Sequence, residues 1–462
     1  MENWSGKKVI VIGAARQGTA LSRYLVGKGA QVILSDMRPS GELPAHLSDL
    51  EKLGVQLHLG GHPLELLEGA DYVCVSGGVP LTIPFIQAAL QRRIPLSNDS
   101  QIFLEACPAQ VIGITGSSGK TTTTALVGLM AEKYFEMKQN GHRAWVGGNI
   151  GNPLIEQVDQ IDEDDLVVLE LSSFQLELMT RSPQIGAILN ITPNHLDRHG
   201  SMQAYIAAKS RILRFQHPGD VAILNRDDPG SWSLADNLKS DLISFGFQKP
   251  ESNQNGTYVY REAIWLQLSR QNIKMLPLEW IRLPGRHNIA NVLAACAIAT
   301  AASLALPAIQ TAVEEFTGIP HRLEFIRNIN GADWYNDSIA TAPERTIAAI
   351  EAFEGPLVLL LGGRDKDLPW NELARLVHQR VRAVVLFGEA ADLIEKALGS
   401  VKKGETLQVI SRCNSLEEAV REAAKLIRPG DTVLLSPGCT SFDAFKDFEE
   451  RGEHFRKLVN AL

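Results

Sequence analysis

Residues 113–124 read GITGSSGKTTTT, and the apolar run Gln110 to Ile114 leads into two glycines, two serines, Lys120 and a helix start. That pattern is a phosphate cradle. Backbone N–H groups at a helix N-terminus point at an anion, the helix macrodipole favours negative charge there, Lys120 adds a full positive charge, and Thr121 offers a hydroxyl to Mg²⁺. The chemistry expected is consumption of a nucleoside triphosphate, with Gly116, Ser117, Ser118, Gly119, Lys120, Thr121 and Thr122 around its phosphates. Strict spacing would put glycine at position 114, where Ile114 stands; the usable glycines are Gly116 and Gly119. A Gly/Ser turn ahead of a helix with a solvated lysine is the alternative.

In open α/β sheets ligands gather at the carboxyl ends of strands, and two polar sets fall there. Glu170 closes the apolar strand LVVLEL and precedes Ser172, Ser173 and Gln175. A carboxylate ending such a run is costly unless a cation or donor meets it. A second apolar run, IGAILNI, delivers Thr192, Asn194, His195, Asp197 and Arg198. Together these are oxygen and nitrogen ligands for a divalent metal beside a triphosphate, although a histidine simply bonded to loop backbone would account for His195 alone.

Near the start, GAARQG (Gly13 to Gly18) follows a β-rich run, with Asp36 ending the next one. The pattern resembles a dinucleotide fingerprint, but Ala15 occupies the glycine position that lets backbone approach a pyrophosphate, which weakens the case for a nicotinamide-dependent oxidoreductase. Asp36 and Arg38 remain candidates for a nucleotide-like ligand; an Asp that merely begins a loop is the alternative.

These segments need scaffolding. A chain of 462 residues suggests about three domains. The first hundred residues alternate β-rich runs (Val9 to Ile12, Val32 to Ser35, Tyr72 to Ser76) with helical stretches, a doubly wound α/β pattern. A second unit runs through the cradle, LVVLEL, IGAILNI and VAILN (Val221 to Asn225) to an alanine-rich helix from about Asn288 to Ala305. After TGIPHR a third alternation places PLVLLLGG, RAVVLFG and DTVLLSPG as buried parallel strands. The expected divisions lie near residues 105 and 318.

The composition, 45% hydrophobic and 21% charged, is that of a soluble globular protein. The chain has no run long enough for a transmembrane helix, and MENWSGKKVIVIG holds a four-residue apolar run before Gly13, so a cytoplasmic location is expected. Five scattered cysteines without a CxxC pair indicate neither disulfides nor a zinc site. A net charge of −8 without a basic stripe argues against nucleic acid or anionic membrane. Anionic substrates then require local positive charge, for which Lys120, Arg198, Arg322 and Lys366 are candidates.

TGSSGKTT, ELSSFQLE, NITPNHLDRHG, AAKSRI, PGRHNIAN, PHRLE, NDSIAT, LLGGRDK and SPGCTSFDAFKDFEERG occur in that order along the whole chain. This set resembles the motifs of the Mur ligases, and the ELSSFQL form with a Rossmann-like first domain is similar to the D-glutamate-adding branch. The resemblance implies three α/β domains: a Rossmann-like domain (1–105) for the UDP end of UDP-N-acetylmuramoyl-L-alanine, a central P-loop ATPase-type parallel-sheet domain (106–318), and a Rossmann-like C-terminal domain (319–462) bringing D-glutamate. It also implies ATP, two magnesium ions and a monomer.

By that likeness Lys120, Glu170, His195 and Lys209 are the catalytic set. Lys120 meets the γ-phosphate, Thr121 and Glu170 one magnesium ion, and His195 a second, served also by Lys209 if carbamylated. Asn288, Asn291, Arg322 and Asp337 match nucleotide-contacting positions. Thr341, Lys366, Ser441, Phe442 and Phe448 match positions around the amino acid. Arg16, Gln17, Asp36, Arg38, Ser76, Gly77, Gly78 and Asn149 fall on the uridine–muramoyl side. Ile339 stands where many members carry lysine, so no charged role transfers there.

Overall fold

The computed structural model describes residues 2–42, 47–151, 153–401 and 404–462; the side chains of Glu42 and Asp197, the latter one of the polar candidates above, lie outside the described residues. Strands β1 (Lys8–Ile12), β2 (Gln31–Asp36), β3 (Gln56–Leu59), β4 (Tyr72–Val75) and β5 (Leu96–Ser97) form a parallel sheet in the order β3-β2-β1-β4-β5. Strand order reverses between β1 and β4, and that switch point opens a crevice at the carboxyl ends.

The second sheet comprises β6 (Gln110–Thr115), β7 (Ala144–Gly148), β8 (Leu166–Glu170), β9 (Ile185–Ile188), β10 (Val221–Asn225), β11 (Asp241–Phe245), β12 (Asn255–Tyr260), β13 (Ala263–Leu268) and β14 (Gln271–Pro277). Its order is β14-β13-β12-β11-β10-β9-β6-β8-β7. It is parallel from β7 to β12 and ends in an antiparallel meander, β12-β13-β14. All five residues of β8 are buried, Glu170 included, as a strand covered on both faces requires.

The third sheet joins β15 (Glu324–Ile329), β16 (Ala332–Asn336), β17 (Leu357–Gly362), β18 (Val381–Phe387), β19 (Val409–Arg412) and β20 (Thr432–Gly438) in the order β15-β16-β20-β17-β18-β19. It is parallel except for the β15–β16 hairpin. The chain divides into two compact units, Met1–Trp280 with Ala290–Glu314 and Ile281–Ile289 with Glu315–Leu462. The first holds the first two sheets, the second the third.

One expected element, the helix from about Asn288 to Ala305, ends early. The alanine-rich helix runs over Arg286–Ala301, and a separate helix follows over Leu306–Glu315. Ser303 takes φ 57°, and Leu304 N–H returns to the carbonyl of Ala299, closing the first helix in a left-handed cap. Pro307 then falls in the first turn of the next helix, where its missing N–H costs nothing.

Candidate active site

The cradle forms where β6 meets the helix Lys120–Lys138. Gly119 has φ +80°, and a Cβ there would lie 2.3 Å from Asn291 Oδ1, so both conformation and space require glycine. Asn190 braces the loop: its carbonyl accepts from Ser117 N–H at 2.9 Å and its Oδ1 from Ser118 N–H at 2.8 Å. Ser117 Oγ donates to the Thr192 carbonyl at 2.9 Å, accepts from Thr192 N–H at 3.0 Å and lies 3.1 Å from the Tyr205 hydroxyl. The first i→i−4 bond is Thr123 N–H to Gly119 O; ahead of it stand the first-turn N–H groups of Lys120, Thr121 and Thr122, which a helix cannot satisfy internally. The N–H groups of Ser117 and Ser118 are spent on Asn190 and hold the loop's shape.

Two lysines converge on this loop. Lys120 Nζ donates to the carbonyls of Gly116 (2.9 Å) and Ser117 (3.3 Å). Lys209 rises from the helix Met202–Arg214, is 1% exposed, and donates to the same Gly116 carbonyl at 2.9 Å and to Thr115 Oγ1 at 3.3 Å. Its ammonium sits 4.8 Å from the centre of the Tyr205 ring. Burial, reinforced by the charge of Lys120 and opposed by Glu170, pushes the Lys209 amine down to about 7.

Glu170 pairs across from Ile114, which brings its carboxylate beside the loop. It is 2% exposed; Oε1 accepts from Asn149 Nδ2 at 2.9 Å, and Oε2 is buried without a protein donor. A buried carboxylate oxygen left unmet is expensive, and a cation is the partner that removes the cost. Among the described residues no three His, Cys, Asp or Glu side chains converge as a metal cluster. That donor set suits Mg²⁺, which keeps waters and phosphate oxygens and takes one or two protein ligands.

His195 takes a left-handed backbone (φ 54°), is exposed, and lies with its ring 5.2 Å from that of Phe174. No hydrogen bond ties it to Glu170 or Lys209. The neighbouring His199, passed over in the sequence, stacks parallel on Phe174 at 5.2 Å and lies 3.0 Å from Ser173 Oγ through Nε2. Arg198 covers Phe174 at 4.6 Å and donates to the Gly78 carbonyl. Asn190 and Tyr205 were also missed as cradle residues. Tyr205 stands four positions before Lys209, one helical turn away, which is the signal that could have found it.

At the carboxyl ends of β1, β2, β4 and β7 lies a cleft of about 420 Å³ whose lining includes Arg16, Gln17, Asp36, Arg38, Ser76, Gly78 and Asn149. Gly77 adjoins it, its Cβ position 3.8 Å from Gln17 Oε1. Asp36 is already engaged: Oδ2 accepts from Ala14 N–H (2.7 Å) and Arg38 Nη2 (2.8 Å), and Oδ1 from Arg38 N–H and Nε. Arg38 holds its carboxyl far below the usual range. Asp36 thus shapes the β1 turn and aims Arg38. Asn149 joins the cleft to the cradle, because its side chain holds Glu170 and its N–H donates to the Glu170 carbonyl at 2.8 Å.

In the second unit Asp337 follows β16, 5% exposed, with Oδ2 accepting from Ser436 Oγ at 2.8 Å and Oδ1 from Leu323 N–H at 3.2 Å. Burial raises it to about 7 against the pull of Arg322 and Arg345. Asn288 donates to the Pro284 carbonyl at 2.7 Å. Lys366 Nζ reaches Thr341 Oγ1 at 3.4 Å. Ser441 is buried, Phe442 is 60% exposed, and Phe448 meets His321 edge-on while its carbonyl accepts from Ser338 Oγ at 2.8 Å. Ile339, half-buried, contributes its N–H to the His321 carbonyl.

A glycine–serine loop at the carboxyl edge of a parallel sheet, two lysines converging on one of its carbonyls and an unmet buried carboxylate beside it define a nucleotide-phosphate-binding α/β enzyme of the P-loop type. The Mur ligase middle domain matches residues 114–299, the glutamate ligase domain of Mur ligases 321–439, and the MurD-like N-terminal domain of Mur ligases 7–97. The UDP-N-acetylmuramoylalanine–D-glutamate ligase of Symbiobacterium thermophilum is 41% identical over 99% of this chain and 98% of its own. That of Pelotomaculum thermopropionicum is 40% identical over 100% and 99%. The chain belongs to the Mur ligase family. Among solved structures, UDP-N-acetylmuramate–alanine ligase MurC from Thermotoga maritima shares the fold with a TM-score of 0.53 at 20% identity, covering 98% of this chain and 99% of that one. The MurF ligase from Thermotoga maritima in complex with ADP does so at 0.50 and 16%, covering 99% and 96%.

Proposed function

We propose that this chain is the cytoplasmic, monomeric ligase that uses ATP to join D-glutamate to the alanyl carboxylate of UDP-N-acetylmuramoyl-L-alanine, a step of peptidoglycan precursor synthesis. The observation that carries it is the charge set at the cradle: Lys120 and Lys209 on one carbonyl, with Glu170 Oε2 unmet alongside. Likeness to named D-glutamate ligases over the full chain selects the substrates.

A carboxylate is a poor electrophile. Transfer of the γ-phosphoryl group to a substrate carboxylate oxygen releases ADP and makes an acyl phosphate. The D-glutamate amine then attacks the acyl carbon, the carbon–oxygen bond to phosphate breaks, and the amine loses a proton as the amide forms. Lys120 and the first-turn N–H groups supply preset positive charge where the phosphoryl group moves, so little covalent work is left for the protein. Magnesium, which Thr121, Glu170, His195 and a carbamylated Lys209 would hold in two sites, neutralises phosphate charge.

Carbamylation suits Lys209. Only a neutral amine adds CO₂, and an amine at about 7 is substantially neutral at physiological pH. The adduct replaces a cation facing the cradle with an anion. By the family likeness, Ser117, Ser118, Thr122 and Asn291 of the first unit are nucleotide-contacting positions in this scheme, and so are Asn288, Arg322 and Asp337 of the second. The 420 Å³ cleft takes the uridine–muramoyl end, and Thr341, Lys366, Ser441, Phe442 and Phe448 the D-glutamate, with domain boundaries near 105 and 318. Turnover with UDP-N-acetylmuramoyl-L-alanine, ATP, Mg²⁺ and a panel of D- and L-amino acids tests it. Hydroxylamine should capture an acyl hydroxamate; absence of both hydroxamate and amide product would refute the assignment.

A further inference from the structure

The amino-terminal edge of the central sheet, opposite the cradle, carries a second cavity. Gln184 precedes β9, Asp220 precedes β10 and Lys239 lies two residues before β11, whereas the cradle follows the carboxyl end of β6, parallel to all three. The strands between are four to six residues long, so the two openings lie on the order of 15 Å apart. The cavity has a volume of about 560 Å³, and Arg181, Arg214, His217 and Lys239 line it.

The charged side chains Arg181, Arg214 and Lys239 come from three segments. The C-terminal dipole of the helix Met202–Arg214 accounts for Arg214 but not for Arg181 or Lys239, which lie outside that helix. None of the three makes an ion pair among the described residues. The one acidic residue in the lining, Asp220, spends Oδ2 on the His217 N–H at 2.7 Å. The floor is preset: Gln216 Nε2 donates to the carbonyls of Pro183 (3.2 Å) and Val221 (3.0 Å), and Ser182 Oγ to that of Arg211 (2.9 Å). Concentrated, unpaired positive charge over a fixed floor in a chain of net charge −8 attracts an anion.

A second depression, about 350 Å³, shares Arg214 and Lys239 with the first and is otherwise dominated by Leu213, Leu234 and Leu238. The apolar half and the charged half therefore meet at the same two side chains. We propose that this edge is a binding site, separate from the cradle, for an amphipathic small anion: a phosphate- or carboxylate-type head between Arg181, Arg214 and Lys239, and an apolar portion along Leu213, Leu234 and Leu238.

Calorimetric titration of the full-length protein with n-hexyl phosphate tests it, with n-hexanol and inorganic phosphate as the partial ligands. Hexyl phosphate is expected to bind the wild type and Lys120→Ala alike, which separates this site from the cradle. It should bind at least tenfold more weakly to the exposed charge-reversal pair Arg214→Glu/Lys239→Glu, and several-fold more weakly to Leu238→Asp. Inorganic phosphate should bind at least tenfold more weakly than hexyl phosphate, and hexanol not at all. Equal affinity in the wild type and the charge-reversal pair, loss of binding in Lys120→Ala, or no heat at millimolar ligand would overturn the proposal.

Discussion

Lys120 and Lys209 share one acceptor, the Gly116 carbonyl oxygen, each at 2.9 Å. Two ammonium groups on one oxygen repel, and the cost falls on the buried member, whose amine is pushed down toward neutrality. Anionic phosphate at the loop relieves that repulsion, and so does conversion of Lys209 to an anion.

Replacing Lys120 by alanine removes the half-buried partner of the pair while leaving the fully buried one and the loop backbone. Substrate-dependent phosphate release should fall by about a hundredfold or more, the scale of losing one preset donor to transition-state charge. Steady-state phosphate assay checks this, with unchanged thermal melting showing that the fold is intact.

For Lys209 the sign of the pH effect follows from its lowered value. Between about 7 and 10.5 the unfolded chain holds the proton that the folded chain has lost, so stability from this group grows with pH across that window and is lost as pH falls through 7. Lys209→Met should melt at a higher temperature than the wild type at pH 6 and narrow the difference at pH 9. The same variant should be inactive, and Lys209→Ala partly rescued by short carboxylates; a ¹³C-bicarbonate carbamate signal should appear in the wild type only.

Glu170→Gln keeps shape and the contact with Asn149 but discharges the unmet oxygen. Thermal stability in the absence of metal is expected to hold or rise, because a buried charge without a donor is removed. Activity should drop by about a hundredfold or more at fixed magnesium. A melting temperature lower than that of the wild type, with activity retained, would contradict the assignment of Oε2 to a cation.

Gly119→Ala imposes two penalties at once. A side chain at φ +80° costs about 1–2 kcal/mol, and its Cβ would stand 2.3 Å from Asn291 Oδ1. Denaturant melts should show the loss, and Asn291→Gly in the same chain should recover the contact part but not the backbone part. ADP binding, followed by calorimetry, should fall in both.

Asp337 shows the opposite linkage to Lys209. Its value is raised to about 7 by burial, so the folded state favours the protonated form, and its contribution is greatest below about 4 and is lost as pH rises through 7. Asp337→Asn should therefore gain stability relative to the wild type at pH 8 but not at pH 4, in melts followed by circular dichroism.

Much of the architecture was legible because parallel strands buried on both faces write continuous apolar runs, as β8, β10, β17 and β18 do. The antiparallel parts went unread, for two different reasons. Asn330-Gly331 joins β15 to β16 with both residues at positive φ, and that dipeptide was a readable hairpin signal. The meander β12-β13-β14 turns at Arg261-Glu262 and Ser269-Arg270, also at positive φ, where no glycine or asparagine announces the turn. Tertiary pairing holds those residues in a conformation their side chains disfavour.

The amino-acid sequence by itself determined the cradle, the acidic end of β8 and the order of motifs, because each is set by local chemistry: glycine where the backbone must bend left-handed, lysine at a helix start, a carboxylate closing an apolar strand. Only the tertiary structure decided that Lys209, separated from Gly116 by 93 residues, loses its water and shares a carbonyl with Lys120, that Asn149 occupies one oxygen of Glu170 and leaves the other unmet, and that Asp36 serves Arg38 and the β1 turn. Those outcomes depend on desolvation and on which distant groups meet. Neither is encoded in spacing along a chain.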